Sequence, residues 1–200
     1  IAMCKELKND RKTSHIPIIL LTARASEENI LQGLESGADD YITKPFNNTL
    51  LKARIKNLID LRRLFHLKLD REMTLKPSKI FISEVDREFI EELQNTIETN
   101  MANPDFNVEE LGKRLYLSRA TLYRKIHALS GQSPTQFIRS YRLKRAAQLL
   151  DERDKTVTDI AFEVGFSSTA YFTKCFKDKF HQLPSIYQLN RARSAKPNNG

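Results

Sequence analysis

The sequence predicts two architectures in succession: an α/β fragment, part of a doubly wound sheet, and then an all-α domain with two helix-turn-helix units joined by a linker helix. Three observations predict this. The first 65 residues read helix, strand, helix, strand, helix. A set of positions beginning at Val108 returns about fifty residues later. A long capped helix fills the space between the two copies.

At 200 residues, 40% hydrophobic and 29% charged, with six Gly and seven Pro, the chain has room for one to two soluble globular domains. The longest apolar run, Ile16 to Leu21, contains Pro17 and falls far short of a bilayer span, so no membrane contact is expected in this segment. No signal peptide opens the chain, and a cytoplasmic location is expected. Because it starts on Ile1, the chain is expected to be a piece of something longer. Cys4 and Cys175 match no metal or redox spacing and read as reduced thiols. The four His are too scattered for a metal site, and no phosphate-cradling Gly loop appears.

The net charge of +8 matters less than its distribution. Residues 1–65 mix 11 basic with 8 acidic side chains. From Leu111 to Leu150 there are nine basic residues and no acidic one: Lys113, Arg114, Arg119, Arg124, Lys125, Arg139, Arg142, Lys144 and Arg145. A solvated helical surface usually mixes signs, so this stretch suits phosphates.

The elements follow in order. Ile1, Cys4 and Leu7 lie on one side of an opening helix. The continuous apolar run 16–23 is that of a strand buried on both faces of a parallel sheet. Ser26 can cap a helix that carries Glu27 and Glu28 in its first turn, buries Ile30, Leu31 and Leu34, and stops at Gly37. Tyr41-Ile42-Thr43 is a short strand, and Asn48 starts a helix with Leu51, Ile55, Leu58 and Phe65 inside.

The residues Pro17-Ile18-Ile19-Leu20-Leu21-Thr22-Ala23 and Gly37-Ala38-Asp39-Asp40-Tyr41-Ile42-Thr43-Lys44-Pro45-Phe46 resemble the second half of a response-regulator receiver domain. The resemblance implies a switch of Thr22, which bonds phosphoryl oxygens, Lys44, which neutralises them, and Tyr41, which changes rotamer. It also implies a cis bond between Lys44 and Pro45 that aims the lysine. Each residue alone is ordinary, Thr22 as a strand end and Lys44-Pro45 as a turn; their joint spacing carries the reading. The acceptor aspartate should end an earlier strand that is missing here, and Asp39 and Asp40 precede theirs, so this receiver-like fragment is not expected to accept phosphate. Mg2+ would be a cofactor only of an intact receiver. Two strands without neighbours leave apolar faces and edges open, so residues 1–65 should be poorly stable alone or covered by another chain.

Residues 66–83 read as a linker that packs against something, with Leu67, Leu69, Met73, Leu75 and Ile80 scattered through it and a break at Pro77-Ser78; over 66–86 the charge is balanced, four basic and four acidic. Ser83-Glu84-Val85-Asp86 has capping-box spacing, with Asp in place of Glu, and opens a helix carrying Phe89, Leu93, Ile97 and Met101. The domain boundary falls near residue 83, the second domain covering 84–190 and a basic disordered tail 191–200.

Val108, Leu111, Gly112 and Leu115 return 49 residues on as Val157, Ile160, Ala161 and Val164. Ser118, Leu122, Arg124 and Ile126 return 50 on as Ser168, Phe172, Lys174 and Phe176, so the second turn is one residue longer. Asn107 with Glu110 and Thr156 with Asp159 supply caps. In the second helix of each copy, Leu122, Ile126 and Leu129, or Phe172, Phe176 and Phe180, form a core stripe. The opposite faces hold Arg119, Ala120, Tyr123, Arg124 and His127, or Thr169, Ala170, Thr173, Lys174 and Lys177. They read either as solvated surface or as faces for a major groove, and the duplication favours the groove. Between the copies, Ser133-Pro134-Thr135-Gln136 starts a helix to about Leu150, ~25 Å long at ~1.5 Å per residue. With the flanking units this brings two reading helices within one DNA turn, ~34 Å. Arg142, Lys144 and Arg145 either touch phosphates on the way or anchor the rod to its heads.

Over about residues 84–190 the chain resembles the AraC/XylS family of DNA-binding domains. The resemblance rests on Leu117-Ser118-Arg119-Ala120-Thr121-Leu122-Tyr123-Arg124-Lys125, Gly131-Gln132-Ser133-Pro134, residues 142–150 and Ile160-Ala161-Phe162-Glu163-Val164-Gly165-Phe166. It implies base contacts by Arg119, Ala120, Tyr123 and Arg124 in one groove and by Thr169, Ala170, Thr173 and Lys174 in the next. Phosphate contacts would come from Ser118, Lys125, Arg142, Lys144, Ser168 and Lys177. Two positions depart: His181 stands where the family has Gly, and Tyr187-Gln188 where it closes on Tyr-Arg.

Together the halves resemble the C-terminal part of hybrid two-component regulators. The expected function is sequence-specific transcription regulation at the output of a phosphorelay. The expected partners are double-stranded DNA, a second copy through upstream regions, and a sensor kinase module in the same full-length chain. The rivals are a DNA-repair alkyltransferase using Cys4, for which no activating His lies near in sequence, and a basic protein-interaction module. No enzymatic activity is expected.

Overall fold

The structure, a computed structural model, describes residues 1–23, 31–33, 35–71, 83–152 and 154–194. Its elements are α1 (Ala2–Asn9), β1 (Ile19–Thr22), β2 (Asp40–Thr43), α2 (Asn48–Arg71), α3 (Glu84–Thr99), α4 (Val108–Arg114), α5 (Arg119–Ser130), α6 (Pro134–Glu152), α7 (Val157–Glu163), α8 (Thr169–Phe180) and α9 (Pro184–Ser194). They fall into two compact units, Ile1–Gln94 with Ala120–Gln132, and Asn95–Arg119 with Ser133–Gly200. The predicted cap at Ser26 and the break at Pro77-Ser78 lie outside the described residues.

In the first unit β1 and β2 pair in parallel, Ile19 opposite Asp40 and Thr22 opposite Thr43. The strand is shorter than its apolar run for a reason. Pro17 has no N–H to give a ladder, and the Ile18 N–H goes to the Asp39 carboxylate at 2.7 Å. On α2 the predicted stripe holds for Leu51, Leu58 and Phe65, which are half-buried, but Ile55 is 43% exposed. Arg62 takes its place on that face, and its guanidinium donates to the His15 carbonyl. No break occurs at residue 65: α2 runs on to Arg71, since no Gly, Pro or cap interrupts it. At the other end of the chain α9 reaches Ser194, so residues 191–194 are helical where a tail was expected.

The start of α3 corrects the capping-box reading. Ser83 Oγ accepts from the Asp86 N–H at 3.2 Å, but the Asp86 carboxylate does not return the bond to Ser83. It accepts from Ser14 Oγ at 2.7 Å and pairs with Lys125 instead. A buried ammonium is a stronger partner for a carboxylate than a backbone amide at a helix end.

In the second unit α6 packs against α7, α8 and α9. Phe137, Ile138, Leu143, Ala146, Ala147, Leu149 and Leu150 are buried along it. An aromatic cluster holds the second copy: Phe172 lies 5.6 Å from Phe176 between ring centroids, and Phe176 4.5 Å from Phe180. Tyr187 meets Phe176 edge-on at 5.4 Å. The departure at 187–188 is therefore accommodated, with Tyr187 in the core and Gln188 donating to the Lys155 carbonyl at 3.4 Å.

Candidate nucleic-acid interface

Each reading helix needs a fixed start, and the two copies build it alike. Asn107 Oδ1 caps α4 by accepting from Glu109 N at 2.9 Å and Glu110 N at 3.2 Å. Thr156 and Asp159 close a reciprocal capping box on α7. Both short helices end on a residue near φ −90° and ψ 0–15°, Leu115 and Val164. The next residue is left-handed in both, Tyr116 at φ 54° and Gly165 at φ 80°. The chain then folds back with the same hydrogen bond, Leu117 N to Gly112 O at 3.0 Å and Phe166 N to Ala161 O at 2.9 Å. The extra residue of the second turn is Ser167, after this closure, so the 49-residue offset becomes 50 at Ser168.

The two left-handed residues differ in what surrounds them. A Cβ on Gly165 would sit 2.1 Å from the Met101 carbonyl oxygen. Tyr116 points its ring outward and is 91% exposed. At the far ends of the reading helices the position the family gives to Gly is again left-handed. It is Gly131 at φ 71° after α5 and His181 at φ 59° after α8.

On α5 the stripe Leu122, Ile126 and Leu129 is buried, and Ala120, Tyr123, Arg124 and His127 lie exposed on the other side. Tyr123 and His127 stack with ring planes 4° apart. Arg119 and Ser118, just before this face, are exposed as well. On α8 Phe172 and Phe176 are buried. Ala170, Lys174 and Lys177 are exposed, and Thr169 and Thr173 half-exposed. Ser168 is the N-cap of α8, its hydroxyl accepting from Tyr171 N at 3.3 Å.

Three of the expected phosphate contacts change role. Lys125 is wholly buried; its ammonium lies 2.8 Å from Asp86 and 4.8 Å above the Phe89 ring. Burial pushes its pKa below the ordinary lysine value, and Asp86 opposes that shift. Arg142 donates to the Asn103 carbonyl at 2.8 Å, beside the Gly165 turn, and burial lowers its pKa too. It therefore anchors the rod, the second of the two roles left open for it. Lys144 is buried at 7% exposure. Lys125 was misread because its neighbours are basic. The missed signal was its spacing, since it falls on the stripe of Leu122 and Leu129 and matches Cys175, also buried, in the second copy.

Sequence reasoning also missed Arg139, whose guanidinium donates to the Tyr171 hydroxyl at 3.2 Å and so ties α6 to α8. Arg145 stays on the rod itself, 3.1 Å from Gln148 Oε1.

In the receiver-like part, Thr22 and Thr43 end the paired strands side by side, and the Lys44 N–H reaches the Thr22 carbonyl at 2.6 Å. Lys44 is exposed, Tyr41 half-buried, and the Lys44–Pro45 bond is cis. Asp39 sits at the opposite end of the strands, bound to Lys8 and the Ile18 N–H. Cys4 is buried, its thiol donating to the Ser36 carbonyl at 3.9 Å. Among the described residues no group of His, Cys, Asp and Glu could hold a metal, and no helix is long and apolar enough to cross a membrane.

Comparison with known proteins gives both halves a match. The family model described as a helix-turn-helix domain matches residues 111–190, and that of the response regulator receiver domain matches residues 1–56. The chain is 44% identical over 186 residues to histidine kinase P4 of Formosa agariphila, which is 93% of this chain and 14% of that protein. It is 54% identical over 59 residues to the phosphate regulon transcriptional regulatory protein PhoB of Pseudomonas aeruginosa, 30% of this chain and 26% of that one. The chain thus spans about a quarter or less of these relatives. A crystal structure of a transcriptional regulator with an AraC-type DNA-binding domain, from Chromobacterium violaceum, aligns at TM-score 0.49 and 26% identity over 54% of this chain and 93% of that one.

Proposed function

We propose that this chain, whose residues 1–56 match the response regulator receiver domain and whose residues 111–190 match a helix-turn-helix domain, is an AraC-type response regulator that binds double-stranded DNA sequence-specifically and regulates transcription at the output of a phosphorelay. The observation that carries this is the duplicated turn, which sets two reading helices with their apolar stripes buried and their short polar faces outward. Arg119, Ala120, Tyr123 and Arg124 serve one major groove, and Thr169, Ala170, Thr173 and Lys174 the next. Arg can bond guanine twice, a hydroxyl suits several bases, and the Ala and Thr methyls suit thymine. Ser118, Ser168 and Lys177 meet phosphates, while Lys125, Arg142 and Lys144 serve the fold. A sensor kinase module in the same full-length chain supplies the signal, and a second copy pairs through upstream regions.

Selection of bound sequences from randomised duplex DNA, with the wild-type chain beside Arg124→Ala and Lys174→Ala, tests the reading. The expected motif has two halves about one helical turn apart, each substitution costing about 1–3 kcal/mol in its own half. Salt-sensitive binding with no enriched sequence would overturn it.

A further inference from the structure

The two reading helices present similar fronts but differ at the back. At matching positions the first copy has Lys125 and the second has Cys175, both buried. A buried thiol needs little from its surroundings. A buried ammonium needs an acceptor for each of its three protons. Lys125 has all three: Asp86 Oδ1 at 2.8 Å, Ser14 Oγ at 2.8 Å and the Arg11 carbonyl at 2.6 Å. Only the first belongs to the helix-turn-helix half. The other two come from the segment between α1 and β1, on the receiver side. Ser14 is itself 2% exposed and passes its own proton to Asp86 at 2.7 Å. Arg11 lies over the Phe89 ring, 5.6 Å from its centroid, and pairs with Glu92. At the other end of α5, His66 Nε2–H of α2 donates to the Ala128 carbonyl at 2.9 Å. Meanwhile Tyr123 and Arg124 stay exposed, so this contact grips the back of α5 and leaves its front open.

We propose that the receiver segment is a working part of the first reading head: Ser14 and the Arg11 carbonyl position α5 through Lys125, whereas the second head stands without such help. This rests on the two-headed reading above and adds a dependence to one head only. Ser14 and Lys125 are positioning residues, since neither faces the groove. The receiver can then set the grip on one half-site, because a shift of residues 11–14 removes two of three partners from a buried charge.

The test uses the full 200-residue chain and three duplexes: the selected site, and the site with either half scrambled, the halves being assigned by Arg124→Ala and Lys174→Ala. Ser14→Ala should weaken binding to the intact site about tenfold, the scale of one lost hydrogen bond to a buried charge. That loss should persist when the second half is scrambled and vanish when the first is. In a Lys125→Met background that also carries Asp86→Asn, so that neither buried charge remains behind α5, Ser14→Ala should change affinity less than about twofold. Equal losses on both half-scrambled sites, or an undiminished loss in that background, would overturn the proposal while leaving the two-headed reader in place. A wild-type chain that selects no two-part sequence would instead sink the proposed function itself.

Discussion

Gly165→Ala and Tyr116→Gly perturb the same turn position in the two copies and should move stability in opposite directions. At Gly165 the backbone stands at φ 80°, where a side chain is strained, and the new Cβ would lie 2.1 Å from the Met101 carbonyl oxygen. The strain costs on the order of 1–3 kcal/mol. The overlap is with backbone rather than with a side chain that can swing aside, so the loop at Met101 must move, for about another 1–3 kcal/mol. The Arg142 guanidinium, 2.9 Å from the same point, would give more easily. Gly165→Ala should therefore cost about 4 kcal/mol in all. Tyr116 has the same backbone at φ 54° but is 91% exposed, so nothing packed is lost with its ring. Tyr116→Gly should gain up to about 1 kcal/mol, strain relief less the added entropy of the unfolded chain. Urea unfolding followed by circular dichroism reads both. A loss below about 1 kcal/mol for Gly165→Ala, or an equal loss for Tyr116→Gly, would show that crowding by Met101 does not decide this turn.

Two further predictions concern one side chain in each unit. His15 is buried at 6% exposure, and its Nδ1 has no hydrogen-bond partner among the described residues. Burial first, then Lys125, Arg62 and Arg124 hold its pKa below the ordinary 6.5, against Asp86, so the unfolded chain binds its proton more readily. Stability should hold above pH 6.5 and fall as the pH drops below that value, and His15→Gln should flatten the slope in thermal melts taken across this range. Thr156→Ala, which removes the capping box of α7, should cost about 1 kcal/mol in the same melts; an unchanged midpoint would show that the box adds nothing.

What was legible in the sequence followed from local rules. The caps at Asn107, Thr156 and Ser133 and the stripes of α5 and α8 depend on residues three or four apart, and they formed, with Phe180 half-buried at the end of the second stripe. The repeat was legible too, because both copies solve one backbone problem. The errors came from residues whose partners lie far along the chain. Lys125 looked like a phosphate ligand because its acceptors stand 114, 111 and 39 positions earlier. Asp86 looked like a cap because local spacing cannot reveal a distant ammonium that competes for it. Arg142 was ambiguous for a similar reason: an arginine on a basic helix looks the same whether it faces a phosphate or the Asn103 carbonyl.

The diversion of Asp86 makes one motion out of two. Its carboxylate sits in the first turn of α3 and carries the charge of Lys125 in the middle of α5. If that first turn frays, as helix ends do, the acceptor leaves with it and the buried ammonium loses its counter-charge. If α5 shifts, the carboxylate is left buried with the Ser14 hydroxyl in place of a counter-charge. Neither helix can open locally at small cost while the other stays closed, so their amide protons near residues 86 and 125 should exchange with solvent as one cooperative group, slower than the fraying of an ordinary helix end.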